Sequence, residues 1–264
     1  MATVALSSKA VGSTVKLKVN GTAKNFIVVH QGKPGSMYDA SCDGTWLLMQ
    51  DCYESRQWHS SNNNDYENST IDNYLNTTFL NLFESNIRDA IKQVKLPYRK
   101  GAGYGKTVTS GASGLSAKIF LLSATEVGFN MSYMPTNEGV ELAYFSGCAD
   151  DGADNKRIAY LNSSATGWWL RSPNTNNTNN VWNVNSNGNY NNWNYNNSYG
   201  VRPALMEKAG MSSLTVKSVS PSSKGVISCS LLLCNRQGRI QYADAEGPAG
   251  QSAATAFSFI NTER

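Results

Sequence analysis

The sequence predicts an α+β domain over residues 1–205 followed by a small β extension over residues 206–264. Three observations carry that reading. Short apolar runs separated by Gly, Pro and Asn turn signals fill most of the chain. Between Ser69 and Val94 the apolar residues recur at helical spacing instead, and beyond Leu205 the composition shifts. A chain of 264 residues can hold one large domain with an appendage and a substantial core.

Val15 to Val19 (VKLKV) alternates apolar and basic residues like a half-buried strand, and Asn20-Gly21 supplies a two-residue turn before Phe26 to Val29. Lys33-Pro34-Gly35-Ser36 ends that hairpin, Thr45 to Gln50 (TWLLMQ) gives another strand, and Ser60 to Asp65 reads as an exposed polar loop. From Ser69, the residues Ile71, Tyr74, Leu75, Phe79 and Leu82 share one helical face, and Ser69 with Asp72 has the form of a capping box. A helix of about 14 residues follows from that spacing. Ile87, Ala90, Ile91 and Val94 predict a second, packed behind it, before a short strand from Val94 to Tyr98. Lys118 to Ser123 (KIFLLS) is a buried strand leading into a helical turn at Ala124 to Val127. Past Leu205, Thr215–Val219, Val226–Leu233 and Ile240–Tyr242 read as strands.

Several chemistries are disfavoured. Gly105-Lys106-Thr107 ends like a phosphate-binding loop, yet Lys100 stands where that motif needs glycine, so a glycine-rich loop is the better reading. Asp150, Asp151 and Asp154 lack the alternation and distal glutamate of a calcium loop and read as a solvated segment. Five cysteines at irregular spacing make no disulfide framework, although Cys229 and Cys234 could face each other across a hairpin. With only His30 and His59 for company they make no zinc site, and no cofactor is expected. The net charge of +4 is scattered, which argues against nucleic acid. No run approaches the roughly 20 apolar residues of a spanning helix, and the start MATVALSSKAVGS lacks the layout of a secretion signal. Synthesis in the cytoplasm is the expectation, with no membrane insertion.

The most informative stretch is Asn174 to Asn197, NTNNTNNVWNVNSNGNYNNWNYNN, with fourteen asparagines and no charge or proline. Such a tract could be low-complexity disorder. Its borders and its aromatics argue for order instead. TGWWLRSP (Thr166–Pro173) precedes it, YGVRPAL (Tyr199–Leu205) follows it, and Trp182, Tyr190, Trp193 and Tyr195 recur within it. Carboxamides that both donate and accept, mixed with rigid rings, make a surface like an antibody paratope. The candidate ligand-binding residues are therefore Asn174, Asn176, Asn177, Asn179, Asn180, Trp182, Asn183, Asn185, Asn187, Asn189, Tyr190, Asn191, Asn192, Trp193, Asn194, Tyr195, Asn196 and Asn197. Trp193, Tyr190 and Tyr195 are the anchor candidates, whereas Trp182 is balanced between core and contact. The flanking Trp168, Trp169, Leu170, Val201 and Leu205 read as core, with Arg171 and Arg202 pairing with buried carboxylates or carbonyls to pin both ends.

WWLRSP and GVRPAL, with YENSTIDNYLNTTF (Tyr66–Phe79) and KIFLLSATEVG (Lys118–Gly128), resemble a family known by a domain-of-unknown-function number, common in gut bacteria and their phages. The resemblance covers roughly residues 10–205. That family is similar to C-type lectin-like domains, in the branch shared with formylglycine-generating enzymes and the variable proteins of diversity-generating retroelements. The resemblance implies a C-type lectin-like domain, a variable cassette near 166–205 whose asparagine codons are rewritten by a reverse transcriptase, and binding to a protein or glycan receptor on a target cell surface. Display on a phage tail or cell surface, as a possible homo-oligomer, goes with it. Two other classes compete. An enzyme of the formylglycine-generating kind is opposed by the lack of a paired-cysteine or three-histidine site, and a structural virion or surface protein would use the asparagines only to solvate an exposed tip.

Overall fold

The computed structural model describes residues 5–61, 63–67, 69–101 and 107–208, together with the backbone of 233–234 and 240–241. Strand β1 (Thr14–Val19) buries Val15, Leu17 and Val19 and exposes the residues between them. It pairs antiparallel with β2 (Thr22–Gln31) across Asn20 and Gly21, whose φ angles of 49° and 72° are those of a primed hairpin turn. Next in the chain come β3 (Thr45–Met49), buried throughout, and β4 (Glu54–Gln57).

Helix α1 (Thr70–Tyr74) starts where the capping box predicts, with Ser69 Oγ accepting from Asp72 N at 3.1 Å. It continues through a π turn (Leu75–Phe79) and a 3-10 turn (Leu80–Leu82), so the helical path spans 70–82 but is not one regular helix. Two side chains enter its ladder. Asn76 Nδ2 donates to Asp72 O (3.1 Å) and Thr77 Oγ1 to Asn73 O (2.6 Å), which is where polar residues loosen an α-helix. Helix α2 (Ser85–Ala90) follows.

Four short strands come next: β5 (Val94–Leu96), β6 (Tyr98–Arg99), β7 (Val108–Thr109) and β8 (Leu115–Ala117). The single strand expected over 94–98 is two, broken at Pro97, which has no N–H for a ladder. Strand β9 is only Ile119–Phe120. Beyond it the backbone is claimed by side chains: Leu121 N donates to Tyr66 OH and Leu121 O accepts from Arg171. The last set is β10 (Ala159–Leu161), β11 (Ser164–Thr166), β12 (Trp168–Pro173), β13 (Asn180–Val184), β14 (Tyr190–Asn194), β15 (Ser198–Val201) and β16 (Ala204–Glu207).

Two five-stranded sheets result, β1-β2-β3-β16-β9 and β14-β13-β12-β15-β4. All pairs are antiparallel except β12 with β15, which run parallel at Trp168 and Gly200. The mixed α+β class holds, with sheet dominant. The fully buried rings Trp46, Trp58, Trp168, Trp169, Phe26 and Phe79 lie in one core. Cys42, Cys52 and Cys148 are buried free thiols, and burial pushes Cys42 up to about 11.

The boundary expected at 205 falls inside β16. The chain divides into compact units of residues 1–216 and 217–264. In the second unit Leu233–Cys234 pairs antiparallel with Ile240–Gln241. The strand expected at Thr215–Val219, most of Val226–Leu233, Tyr242, Cys229 and the glycine-rich 102–106 lie outside the described residues. No helix among those described is long and apolar enough to cross a membrane.

Candidate recognition surface

The frame of the asparagine run is β12, in which every residue of WWLRSP is buried. Its polar side chains find partners inside, apart from the buried Nε of Arg171, which has none among the described residues. Trp168 Nε1 donates to Arg157 O (2.8 Å) and Trp169 Nε1 to Arg56 O (2.9 Å). Arg171 holds the Glu126 carboxylate at 2.6 and 2.7 Å and also donates to Leu121 O and Pro97 O. Burial alone would lower the pKa of this guanidinium, but Glu126 outweighs burial and raises it. Glu126 accepts further bonds from Tyr38 OH and Ser123 N. Beside it Ser172 donates to Glu138, whose carboxyl burial pushes up to about 7 against the pull of Arg171. Arg202, at the other end of the run, is buried with its guanidinium on Met49 O and Gln50 O at 2.9 Å. Both arginines therefore pin the flanks, one through a carboxylate and one through carbonyls.

Between these clamps the chain makes two hairpins. Residues 174–180 link β12 to β13, and a turn at Asn185–Asn189 links β13 to β14. The first is stapled by Asn64, whose single Nδ2 lies 3.1, 2.9 and 2.8 Å from the carbonyls of Asn174, Asn177 and Asn180. Asn64 is buried, so the loop expected to be exposed over 60–65 is partly structural. Many asparagines also build their own turns. Asn174, Asn177, Asn187 and Asn194 each accept, through Oδ1, from the backbone N–H two residues on, at 2.8 to 3.2 Å.

Burial sorts the candidates. Asn176, Asn177, Asn179, Asn187 and Asn196 are exposed, and Asn180, Asn185, Asn189, Tyr190, Asn191, Asn192, Asn194 and Asn197 are half-buried. Four candidates are corrected. Asn174 is buried because its carboxamide ties residue 176 to Asn192 Oδ1. Asn183 is fully buried in the central part of β13, its Nδ2 on Val184 O. Trp182 is core, its Nε1 donating to Tyr133 O and its ring packed on Tyr190. Tyr195 is buried against His59 and is no surface anchor.

The asparagines do not form one continuous patch. The 185–189 turn lies at the far end of the β13–β14 hairpin, roughly 17 Å of strand away from the 174–180 loop. At the near end Tyr195 N meets Asn179 O, which gathers Asn176, Asn177, Asn179, Asn196 and the 44% exposed Trp193. Tyr133, which sequence reasoning missed, joins this end. It is 56% exposed, its φ is 67°, and its carbonyl accepts from Thr175 N at 2.8 Å. An exposed tyrosine in the left-handed region is a strained placement held by those bonds.

This frame, from β3 to β16, coincides with a known sequence family. The chain belongs to the family described as Domain of unknown function (DUF6273). The match covers residues 43–208, which contain the asparagine run, both arginine clamps, Asn64 and Tyr133. The β1–β2 hairpin lies before the DUF6273 match yet pairs with β3 inside it. Neither the curated proteins nor the solved structures contain a match to the chain.

Proposed function

We propose that this DUF6273 protein is a ligand- or receptor-binding protein with a C-type lectin-like domain. Its contact surface is the end formed by the 174–180 loop, Trp193, Asn196 and Tyr133, and it meets a protein or glycan receptor on a target cell, displayed from a phage tail or cell surface. The family resemblance further points to a diversity-generating retroelement, with exposed positions of the run as those rewritten. The pairing of β3 with β16 supports the lectin-like reading, because the strands opening and closing the matched segment lie side by side while the run is carried on a second sheet.

One observation carries the functional reading. The flanks are buried and clamped, whereas Asn176, Asn179 and Asn196 are exposed and their carboxamides meet no partner among the described residues. A face of that kind can change without disturbing its host, since exposed substitutions typically move stability by less than about 0.5 kcal/mol.

A second reading, a structural surface protein, is favoured by the asparagines that hold their own turns. Two measurements separate the readings. The gene should carry AAC or AAT codons across 174–197 with a near-copy and a reverse-transcriptase frame nearby. Simultaneous replacement of Asn176, Asn179, Trp193 and Asn196 should leave the unfolding midpoint nearly unchanged, and a folded chain that collapses on this replacement would refute an exchangeable face.

A further inference from the structure

Strand β14 ends its sheet, with β13 on one side and no strand on the other among the described residues. The register fixes which of its groups point outward. Asn189 O accepts from Asn185 N at 2.7 Å and Tyr195 N donates to Asn179 O at 2.9 Å, so odd-numbered positions bond inward to the β13 side. Tyr190, Asn192 and Asn194 therefore direct their backbone groups to the open edge, by the alternation of an antiparallel ladder.

An open edge is a template for another strand, and proteins usually protect it with lysine, proline or a bulge. Strand β14, YNNWN, has no charge and no proline, and its pairing with β13 runs without a shift from Asn180↔Asn194 to Val184↔Tyr190. Another protection is present. The outward N–H of Tyr190 donates to Asn189 Oδ1 at 2.8 Å, and that of Asn192 to Asn191 Oδ1 at 2.8 Å. Two of the three outward donors are thus occupied by the carboxamide of the residue before them, whereas that of Asn194 follows Trp193 and has no such guard.

Strand β14 of a second copy has the groups to take these donors. Paired antiparallel with itself about Asn192, β14 sets residue 190 against 194 of a second copy and 192 against 192. Those are the outward positions, so a two-fold ladder has a donor and an acceptor for each backbone bond, with Asn194 O shared with Asn197 N, from which it already accepts at 3.0 Å. No charge in β14 opposes it. We infer that Asn189 and Asn191 are edge guards that keep β14 from pairing with β14 of a second copy of this chain. The inference is independent of any ligand, and it sets these two asparagines apart from Asn176, Asn179 and Asn196.

The test uses the full chain with Asn189→Ala and Asn191→Ala together, beside an Asn176→Ala/Asn179→Ala control. Sedimentation velocity over a concentration series should show the guard variant self-associating roughly tenfold more tightly than parent and control. Adding Trp193→Lys to the guard variant should return it to the parent's behaviour. A folded guard variant that associates no more than the control overturns the inference. Amide exchange in single variants gives a second readout: Asn191→Ala should speed exchange at Asn192 while the inward N–H of Trp193 keeps its protection, and unchanged exchange at Asn192 also overturns it.

Discussion

Arg171 closes on Glu126 through both terminal nitrogens, and neither side chain has any exposed surface. The pair joins β12 to the turn after β9, and the same guanidinium bonds the carbonyls of Leu121 and Pro97. It thereby ties the start of the asparagine run to three other segments of the core.

Removing one partner from such a pair leaves an uncompensated buried charge. Glu126→Gln should therefore lower stability by about 3 kcal/mol or more in urea unfolding. A loss below about 1 kcal/mol would mean that the clamp is not what fixes β12.

The Asn64 staple has a more local consequence. Asn64→Ala takes a donor from three carbonyls of the 174–180 loop, of which those of Asn177 and Asn180 keep a backbone N–H, and should cost about 1–3 kcal/mol. Amide exchange should rise over residues 175–180 while Trp168 to Leu170 stay protected. Uniform loosening of both regions would show that Asn64 supports the core and not the loop.

How much of this was legible beforehand differs by residue. The β1–β2 hairpin and the Ser69 cap were readable because alternation, Asn-Gly and a capping serine act within a few residues. The core positions of Trp168 and Trp169 and the arginine clamps followed from their apolar setting. Glu126 and Asn64 were not readable as partners, because they sit 45 and 110 positions from Arg171 and Asn174 and nothing local marks them. The run itself misled in one respect. Composition alone cannot tell a carboxamide facing solvent from one holding its own backbone, so Asn174 and Asn183 looked like Asn176 until the register placed them. Tyr133 was invisible for a similar reason: only its backbone conformation and its bond to Thr175 bring it to the site.

A pH dependence follows from Glu207, which is buried at the end of β16 with neither carboxyl oxygen hydrogen-bonded among the described residues. Burial pushes its pKa from 4.5 up to about 7. The folded state thus holds the proton more tightly than the unfolded chain does. The stabilisation is complete below about pH 4.5 and is lost as pH rises to about 7, with no further change above. Glu207→Gln should be more stable than the parent at pH 8 by up to about 3 kcal/mol and equal to it near pH 4. Some slope should persist in the variant, because Glu138 is also pushed up to about 7. Parallel stability curves for parent and variant between pH 4 and 8 would contradict this account.

Gly188 and Gly147 form an internally controlled pair, since both have φ of 81°. A Cβ at Gly147 would meet nothing within 4 Å, whereas one at Gly188 would lie 2.1 Å from the Asp154 carbonyl oxygen. Gly147→Ala therefore carries the backbone cost alone, about 1–2 kcal/mol for a left-handed residue with a side chain. Gly188→Ala carries the same cost and must also push the 185–189 turn off the segment around Asp154, so it should lose at least about 1 kcal/mol more. The extra loss should vanish if Asp154 and its neighbours do not hold the turn in solution. Equal destabilisation of the two variants in thermal unfolding would then place the far end of the β13–β14 hairpin free of that segment.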